Sequence, residues 1–156
     1  MAEKRKTLVM GMGNLQYADE GVGIHVVQRL MEMDLPPGVD VLDAGAVGHD
    51  MIFYIEDFQR VIAIDAVAQG KEPGTIYRLS ESEFVSMPTQ YFSLFHLKLV
   101  NALGEAALLG RKPEVVMIGI EPTDARQAGL ELSDELEARV PEVIACVLEE
   151  IDKATA

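Results

Sequence analysis

Two uninterrupted runs of apolar residues constrain the fold of this chain more than any other feature of its sequence. The run at 61–64 reads Val-Ile-Ala-Ile, and the run at 115–120 reads Val-Val-Met-Ile-Gly-Ile. Runs without polar alternation are typical of strands that are buried on both faces, as in parallel sheets that carry helices on each side. The chain is therefore expected to place helices above and below these strands.

The rest of the chain alternates between further strands and helices. The patterns predict strands at 7–11, 39–42 and 75–79, and helices at 21–33, 51–58, 94–109 and 133–154. This order predicts an α/β fold, a three-layer sandwich in which a mostly parallel, twisted sheet carries helices on both faces. No repeat or linker divides the 156 residues, so we expect a single domain over 1–156.

The charge composition argues against binding to nucleic acid. The chain has 26 acidic and 13 basic residues, a net charge of −13, and it could release few counterions from a phosphate backbone. The apolar run at 8–10 is ended by Gly11 and Gly13, too early for a signal peptide, and no stretch approaches a membrane span. A single cysteine, Cys146, excludes an intrachain disulfide. We expect a soluble, cytoplasmic protein without membrane insertion.

Three residues are candidates for chemistry because of where they stand in this pattern. Ligands of α/β folds bind beyond the carboxyl ends of the strands. Glu20 lies in the loop after the first strand, and Asp65 directly follows the apolar run at 61–64, where a carboxylate is costly unless it is paired, hydrogen-bonded or bound to metal. His96 lies on the inward face at the start of its helix, where the helix dipole favours neutral imidazole. Two carboxylates and an imidazole leave open positions on a nickel or zinc ion.

Structural roles are the alternatives for these and neighbouring residues. The acidic pair 19–20 could only favour the start of a helix electrostatically, and His96 could be a core residue with its hydrogen bonds satisfied. His25 is expected on a polar helix face. His49 opens a helix beside a glycine loop, where it is expected to be structural or to contact a substrate. Cys146 is expected to pack in the final helix.

Five segments of the chain resemble the nickel–iron hydrogenase maturation endopeptidases. They are Gly11-Met12-Gly13-Asn14, Asp19-Glu20-Gly21-Val22-Gly23, Asp43-Ala44-Gly45 with Gly48, Asp65-Ala66-Val67, and Val116-Met117-Ile118-Gly119-Ile120-Glu121-Pro122. The resemblance covers nearly the whole chain. It departs from the family in reading Asp-Ala-Gly where Asp-Gly-Gly is more frequent, and in carrying Ser93-Leu94-Phe95 before His96 where Ser-Pro is often found.

The resemblance implies both an activity and a set of site residues. In that family an acidic residue, an aspartate and a histidine bind the metal, and these positions match Glu20, Asp65 and His96. The family removes the C-terminal extension of the precursor of the hydrogenase large subunit after nickel has been installed. The implied partner is therefore this precursor, and the implied metal is nickel that the precursor presents. The family is sometimes grouped with the aspartic proteases, and Glu20 and Asp65 are the expected catalytic residues.

Several alternatives stay open at the level of sequence. Nickel could polarise the scissile carbonyl or activate a water, and Asp19, Glu20 and Asp65 are all candidate bases. The same three ligands could instead serve a non-catalytic nickel-binding maturation factor or metallochaperone. A nucleotide-binding domain is disfavoured, because Gln16 stands where the dinucleotide fingerprint requires glycine.

Overall fold

The computed structural model describes residues 5–14, 16, 18–46, 50–88, 94–123 and 129–155. Its strands are β1 (Arg5–Gly11), β2 (Val39–Asp43), β3 (Phe58–Ala66), β4 (Ile76–Ser80) and β5 (Glu114–Ile120). Its helices are α1 (Val22–Leu30), α2 (Met51–Ile55), α3 (Glu81–Val85), α4 (Leu94–Leu108) and α5 (Asp134–Thr155). Short 3-10 turns lie at Ala18–Gly21 and Ala44–Ala46.

The five strands form one sheet in the order β2-β1-β3-β5-β4. Strands β2, β1, β3 and β5 are parallel to one another. Strand β4 lies at the edge of the sheet next to β5 and runs antiparallel to it. In the centre of the sheet, Val9 of β1 lies between Val41 of β2 and Ile62 of β3. The prediction of a mostly parallel sheet is confirmed.

Helices cover both faces of the sheet because successive strand residues point to opposite sides. Val9 faces a core that α1 and α5 close, with Val26 and Val143 among the buried contacts. Leu8 and Met10 face the other core, which is closed by α2, α3 and α4. The predicted three-layer sandwich is therefore confirmed, and the apolar runs of β3 and β5 are largely buried, as their pattern indicates.

The connections between strands reverse direction between β1 and β3. The chain passes from β1 through α1 to β2 on one side, and then through α2 to β3 on the other side of β1. The loops that follow β1 and β3 therefore leave the sheet in opposite directions. This reversal is the point where open α/β sheets bind their ligands.

Two predicted boundaries at β3 are wrong. The helix predicted to run to Phe58 ends at Ile55, and Phe58 begins β3 opposite Arg5. The Phe58 side chain is buried in the core, so tertiary packing decides the conformation of this residue. Asp65 was expected just after its strand, but it lies within β3, opposite Gly119 of β5.

Helix α3 is an element that the apolar pattern does not predict. Its first turn has a capping box: the Ser80 hydroxyl accepts from the Glu83 N–H, and the Glu83 carboxylate accepts from the Ser80 N–H. This reciprocal pair fixes the start of a helix only five residues long. Among the described helices, none is both long and apolar enough to cross a membrane.

Candidate functional site

Gly13 brings the two candidate carboxylate segments together at the carboxyl edge. Its φ of +123° is one that side-chain-bearing residues rarely adopt. A Cβ atom at this position would lie 2.0 Å from the backbone oxygen of Glu20 and 3.3 Å from Oδ1 of Asp65. The loop is also held by a hydrogen bond from the Asn14 N–H to the Glu20 carbonyl, with 3.1 Å between nitrogen and oxygen. The structure thus places the segments of Glu20 and Asp65 on either side of one glycine.

Asp65 is a buried carboxylate near the carboxyl end of β3. Its side chain is 2% exposed, and Oδ1 accepts a hydrogen bond from the N–H of Ala66 at 2.8 Å. Burial of an acidic group is costly unless its oxygens are satisfied. Asp65 thus lies at the predicted edge of the sheet, although within β3 rather than after it.

His96 lies in the first turn of α4 and is equally buried. Its Nε2 is 3.1 Å from the Phe84 carbonyl oxygen, and its ring meets the Phe84 ring edge to face. Burial lowers the pKa of His96 more than the bond to the Phe84 carbonyl raises it, so the ring is neutral. A carbonyl only accepts, so the proton is assigned to Nε2 and the lone pair to Nδ1. A histidine oriented through one nitrogen by a carbonyl is typical of metal ligands.

Asp19 is a buried carboxylate that accepts four hydrogen bonds, and sequence reasoning missed its partners. Oδ2 accepts from the Thr123 N–H at 3.0 Å, the Thr123 hydroxyl at 2.7 Å and the Ser133 hydroxyl at 2.9 Å. Oδ1 accepts from the Ser133 N–H at 2.8 Å. Burial raises the pKa of Asp19, but the four hydrogen bonds together lower it by more than burial raises it. The pKa of Asp19 is therefore below its ordinary value. A carboxylate that is held in its ionised form by four donors is a weak general base.

Asp19 therefore ties the turn that carries Glu20 to the start of α5. We expect Asp19→Asn to reduce the free energy of unfolding at pH 7 by about 3 kcal/mol, because an amide NH2 group would face donors. The exposed Asp134→Asn at the start of α5 is the matched control and should change it by less than about 0.5 kcal/mol. Urea unfolding monitored by circular dichroism measures both.

The same contacts predict a dependence on pH. Because the pKa of Asp19 is lower in the folded state than its ordinary value of 3.8, its contribution is complete above about pH 4 and is lost as the pH falls through the folded pKa. The stability difference between wild type and Asp19→Asn should therefore narrow at pH 3. An equal difference at pH 3 and pH 7 would contradict the hydrogen-bonded, ionised state of Asp19.

Glu121, which directly follows β5, is another buried carboxylate at this edge. Its Oε1 accepts from the N–H groups of Gln69 and Lys71 at 2.8 and 3.1 Å, and from the Tyr77 hydroxyl at 2.6 Å. Burial of the Tyr77 hydroxyl, its hydrogen bond to Glu121 and the negative charge of Glu121 all raise the pKa of Tyr77. Glu121 thus fixes the loop that follows Asp65. The signal that could have found it is the one used for Asp65, a carboxylate that follows a buried apolar run.

Glu20, Asp65 and His96 are not gathered into a preformed metal site. Across the ranges described above, no three His, Cys, Asp or Glu residues form a group that could hold a metal ion. Glu20 is exposed, whereas Asp65 and His96 are buried. The joint role of these three residues as ligands stays a prediction.

The structure describes His25 and Cys146 but not His49. His25 was expected on a polar helix face but is half-buried, and its Nε2 is buried with no hydrogen-bond partner within the described chain. Cys146 is half-buried against the core beneath α5, which confirms its packing role. His49 lies outside the described residues.

Comparison with known proteins assigns the family. Residues 24–150 match the HycI family, hydrogenase maturation protease. A Methanocaldococcus jannaschii protein assigned to the hydrogenase maturation proteases is 34% identical, over 97% of this chain and 99% of its own length. The hydrogenase expression/formation protein HupD of Bradyrhizobium diazoefficiens is 32% identical, over 82% of this chain and 68% of its own length.

The fold is shared with solved structures as well. An Escherichia coli endopeptidase superposes with a TM-score of 0.86 at 26% identity, covering 96% of this chain and 93% of that one. The hydrogenase 2 maturation peptidase of a Thaumarchaeota archaeon gives a TM-score of 0.70 at 32% identity, covering 94% and 97%. By these matches, the chain belongs to the hydrogenase maturation proteases and is an endopeptidase.

Proposed function

We propose that this endopeptidase removes the C-terminal extension of a nickel–iron hydrogenase large-subunit precursor after nickel has been inserted. The main support for the proposal is that the buried Asp65 carboxylate and the turn that carries Glu20 lie on either side of Gly13. This pairing lies at the reversal point of a parallel sheet, where substrates of α/β proteins bind. The family membership supplies the class of reaction.

Nickel enters this proposal as part of the substrate. An ion that arrives with ligands from the precursor needs only a few more from the protease, and two carboxylates with one imidazole suit nickel. The exposed Glu20 side chain would meet such an ion first. Asp65 and neutral His96 would complete the recognition from the buried side. A substrate-borne ion does not require the three residues to stand together beforehand.

The chemistry is hydrolysis of one peptide bond near that ion. Nickel would polarise the scissile carbonyl or lower the pKa of the attacking water, with Glu20 or Asp65 accepting the proton of that water. The proton then passes to the departing amine, and the new carboxylate stays with the large subunit. The proposal gives Asp19 a structural role instead, because its two oxygens already accept four hydrogen bonds.

Glu20→Gln should slow processing without affecting the fold. An amide is a much weaker ligand and base than a carboxylate, so we expect the rate of precursor cleavage to fall by about tenfold or more. The exposed position of Glu20 predicts an unchanged unfolding midpoint. Glu105→Gln, an equally conservative change at an exposed position of α4, is the control and should cleave normally. Unfolding of Glu20→Gln, or normal cleavage by it, would remove Glu20 from the site.

The mass of the large subunit before and after incubation tests whether the protein cleaves the precursor. Purified protein is mixed with nickel-containing precursor, and intact mass spectrometry follows the large subunit over time. We expect one product lighter by a single C-terminal fragment, and no change in a precursor truncated before the extension. Tight binding of nickel without any cleavage would favour the metallochaperone alternative and contradict the proposal.

A further inference from the structure

The backbone at Ala18 is a strained point in the turn that carries Glu20. Its φ is +47°, and among the described residues it is the one position other than glycine in the left-handed region. A Cβ atom disfavours this conformation, so an alanine would relax to a negative φ if nothing held it. Strain of this kind persists only where surrounding contacts over-determine the backbone, and it is concentrated at functional sites. The contacts around this turn therefore hold Ala18 in place.

Two backbone hydrogen bonds hold the ends of this turn. The Ala18 N–H donates to the Gly129 carbonyl at 2.8 Å, and the Glu20 carbonyl accepts from the Asn14 N–H. Each bond restrains one end only, so the dihedral angles between these two groups are left free to change. The residue between them, Asp19, supplies the remaining restraint.

Asp19 restrains the turn from inside the protein. Its side chain is 3% exposed, and its four hydrogen bonds attach it to Thr123 after β5 and to Ser133 before α5. A 3-10 turn has three residues per turn, so adjacent side chains point about 120° apart. Because Asp19 is fixed inward, the next side chain, Glu20, is directed outward, and Glu20 is exposed. The inward carboxylate thus sets the direction of the outward one.

We propose that Asp19 is a positioning residue for Glu20. Its bonds to Thr123 and Ser133 hold the left-handed backbone at Ala18, and this backbone keeps the Glu20 carboxylate at the carboxyl edge of the sheet. The carboxylate that meets the substrate is thereby in place before the substrate arrives. This inference rests on the proposed function, because it takes Glu20 as a residue that contacts the substrate. Thr123 and Ser133 then serve the site without touching the substrate.

Removal of a single hydroxyl tests the positioning role without removing a charge. Thr123→Val keeps the shape of threonine and loses the 2.7 Å bond from its hydroxyl to Asp19. The backbone at Ala18 can then relax for part of the time. A turn that presents Glu20 correctly for about a third of the time lowers kcat/KM for nickel-loaded precursor about threefold. Thr123→Ser keeps the hydroxyl and should restore the wild-type kcat/KM. Asp19→Asn should cause a larger loss, about tenfold, in protein that circular dichroism shows to be folded.

Ala18→Gly distinguishes positioning from a general loss of stability. Glycine adopts a positive φ without a steric penalty, so the turn depends less on the bonds of Asp19. Added to Thr123→Val, Ala18→Gly should return kcat/KM to within about twofold of the wild-type value. By itself it should leave the unfolding midpoint no lower than that of wild type. Val147→Ala, which removes buried methyl groups from the second half of α5, is the stability control and should lower the midpoint without changing kcat/KM.

A double-mutant cycle shows whether the effect passes through Glu20. In the Glu20→Gln background, Thr123→Val should cause no further loss of kcat/KM, because the carboxylate that is positioned is already absent. Hydrogen exchange at the Asn14 amide, which is bonded to the Glu20 carbonyl, provides a readout without activity. This exchange should be faster in Thr123→Val than in wild type, and it should slow again when Ala18→Gly is added.

The outcomes separate this inference from the proposed function. If wild type cleaves and Glu20→Gln is slow, but Thr123→Val keeps the wild-type kcat/KM or loses the same factor in both backgrounds, the positioning role is wrong while the proposed function stands. A loss in Thr123→Val that Ala18→Gly does not restore would also overturn it. Normal cleavage by Glu20→Gln would leave no carboxylate for Asp19 to position and would overturn the inference.

A wild-type protein that binds nickel-loaded precursor without cleaving it would contradict the proposed function alone. The same cycle is then measured on the dissociation constant of the complex with that precursor. A loss of affinity that Thr123→Val causes only when Glu20 is present supports the positioning role. Equal losses in both backgrounds, or none, overturn it.

Discussion

Asp65→Asn is expected to fold like the wild type and to lose processing of nickel-loaded precursor by about 100-fold or more. Asparagine keeps an Oδ1 that can accept the hydrogen bond from the Ala66 N–H. It lacks the negative charge that a metal ligand or a general base needs. The unfolding midpoint in urea measures the first expectation, and the rate of appearance of the shortened large subunit measures the second.

Glu121→Gln is the control for loss of a buried charge at the same edge. All three hydrogen bonds to the Glu121 side chain go to Oε1, which glutamine also offers. We therefore expect near-normal stability and processing from Glu121→Gln. Normal processing by soluble Asp65→Asn would take Asp65 out of the site, and it would remove the main physical support for metal recognition at this edge.

Gly23→Ala is expected to destabilise the protein strongly. A Cβ atom at Gly23 would lie 2.2 Å from the carbonyl oxygen of Ile64 and 2.5 Å from that of Met12. The Ile64 carbonyl is held in place because it also accepts a hydrogen bond from the Met12 N–H at 2.8 Å. Helix α1 could therefore accommodate the methyl group only by moving away from the sheet. We expect the free energy of unfolding to fall by more than about 4 kcal/mol, leaving little folded protein.

Gly104→Ala provides the control for a glycine in a helix. A Cβ atom at Gly104 of α4 would have no atom within 4 Å, so alanine should stabilise the protein by up to about 1 kcal/mol through its higher helix propensity. The two variants are compared by thermal unfolding. A Gly23→Ala protein as stable as Gly104→Ala would contradict the close approach of α1 to the sheet.

The sequence predicts the elements whose signals are local. The apolar runs in β3 and β5 imply burial on both faces, and that implies helices on both sides. The place of Asp65 follows from the same run, because a carboxylate at the end of a buried strand must lie at the carboxyl edge. The hydrogen bonds of Asp19 are different, since Thr123 and Ser133 are 104 and 114 residues away along the chain. No local pattern connects residues at that separation.

The tautomer of His96 is a second property that the sequence does not predict. The pattern predicts that His96 faces inward with a neutral ring, and the structure agrees. Which ring nitrogen carries the proton depends on the Phe84 carbonyl, which belongs to a helix that the apolar pattern does not predict. Phe58 shows the same limitation, because its place in β3 is set by burial in the core rather than by its neighbours in sequence.

The central claim is that this endopeptidase cuts its precursor only when nickel is present in that precursor. The most direct measurement compares two samples of the same purified precursor, one loaded with nickel and one free of it, each mixed with metal-free protein and followed by intact mass spectrometry. The account predicts loss of the C-terminal extension from the nickel-loaded precursor and no change in the other. Equal cleavage of both samples would contradict it.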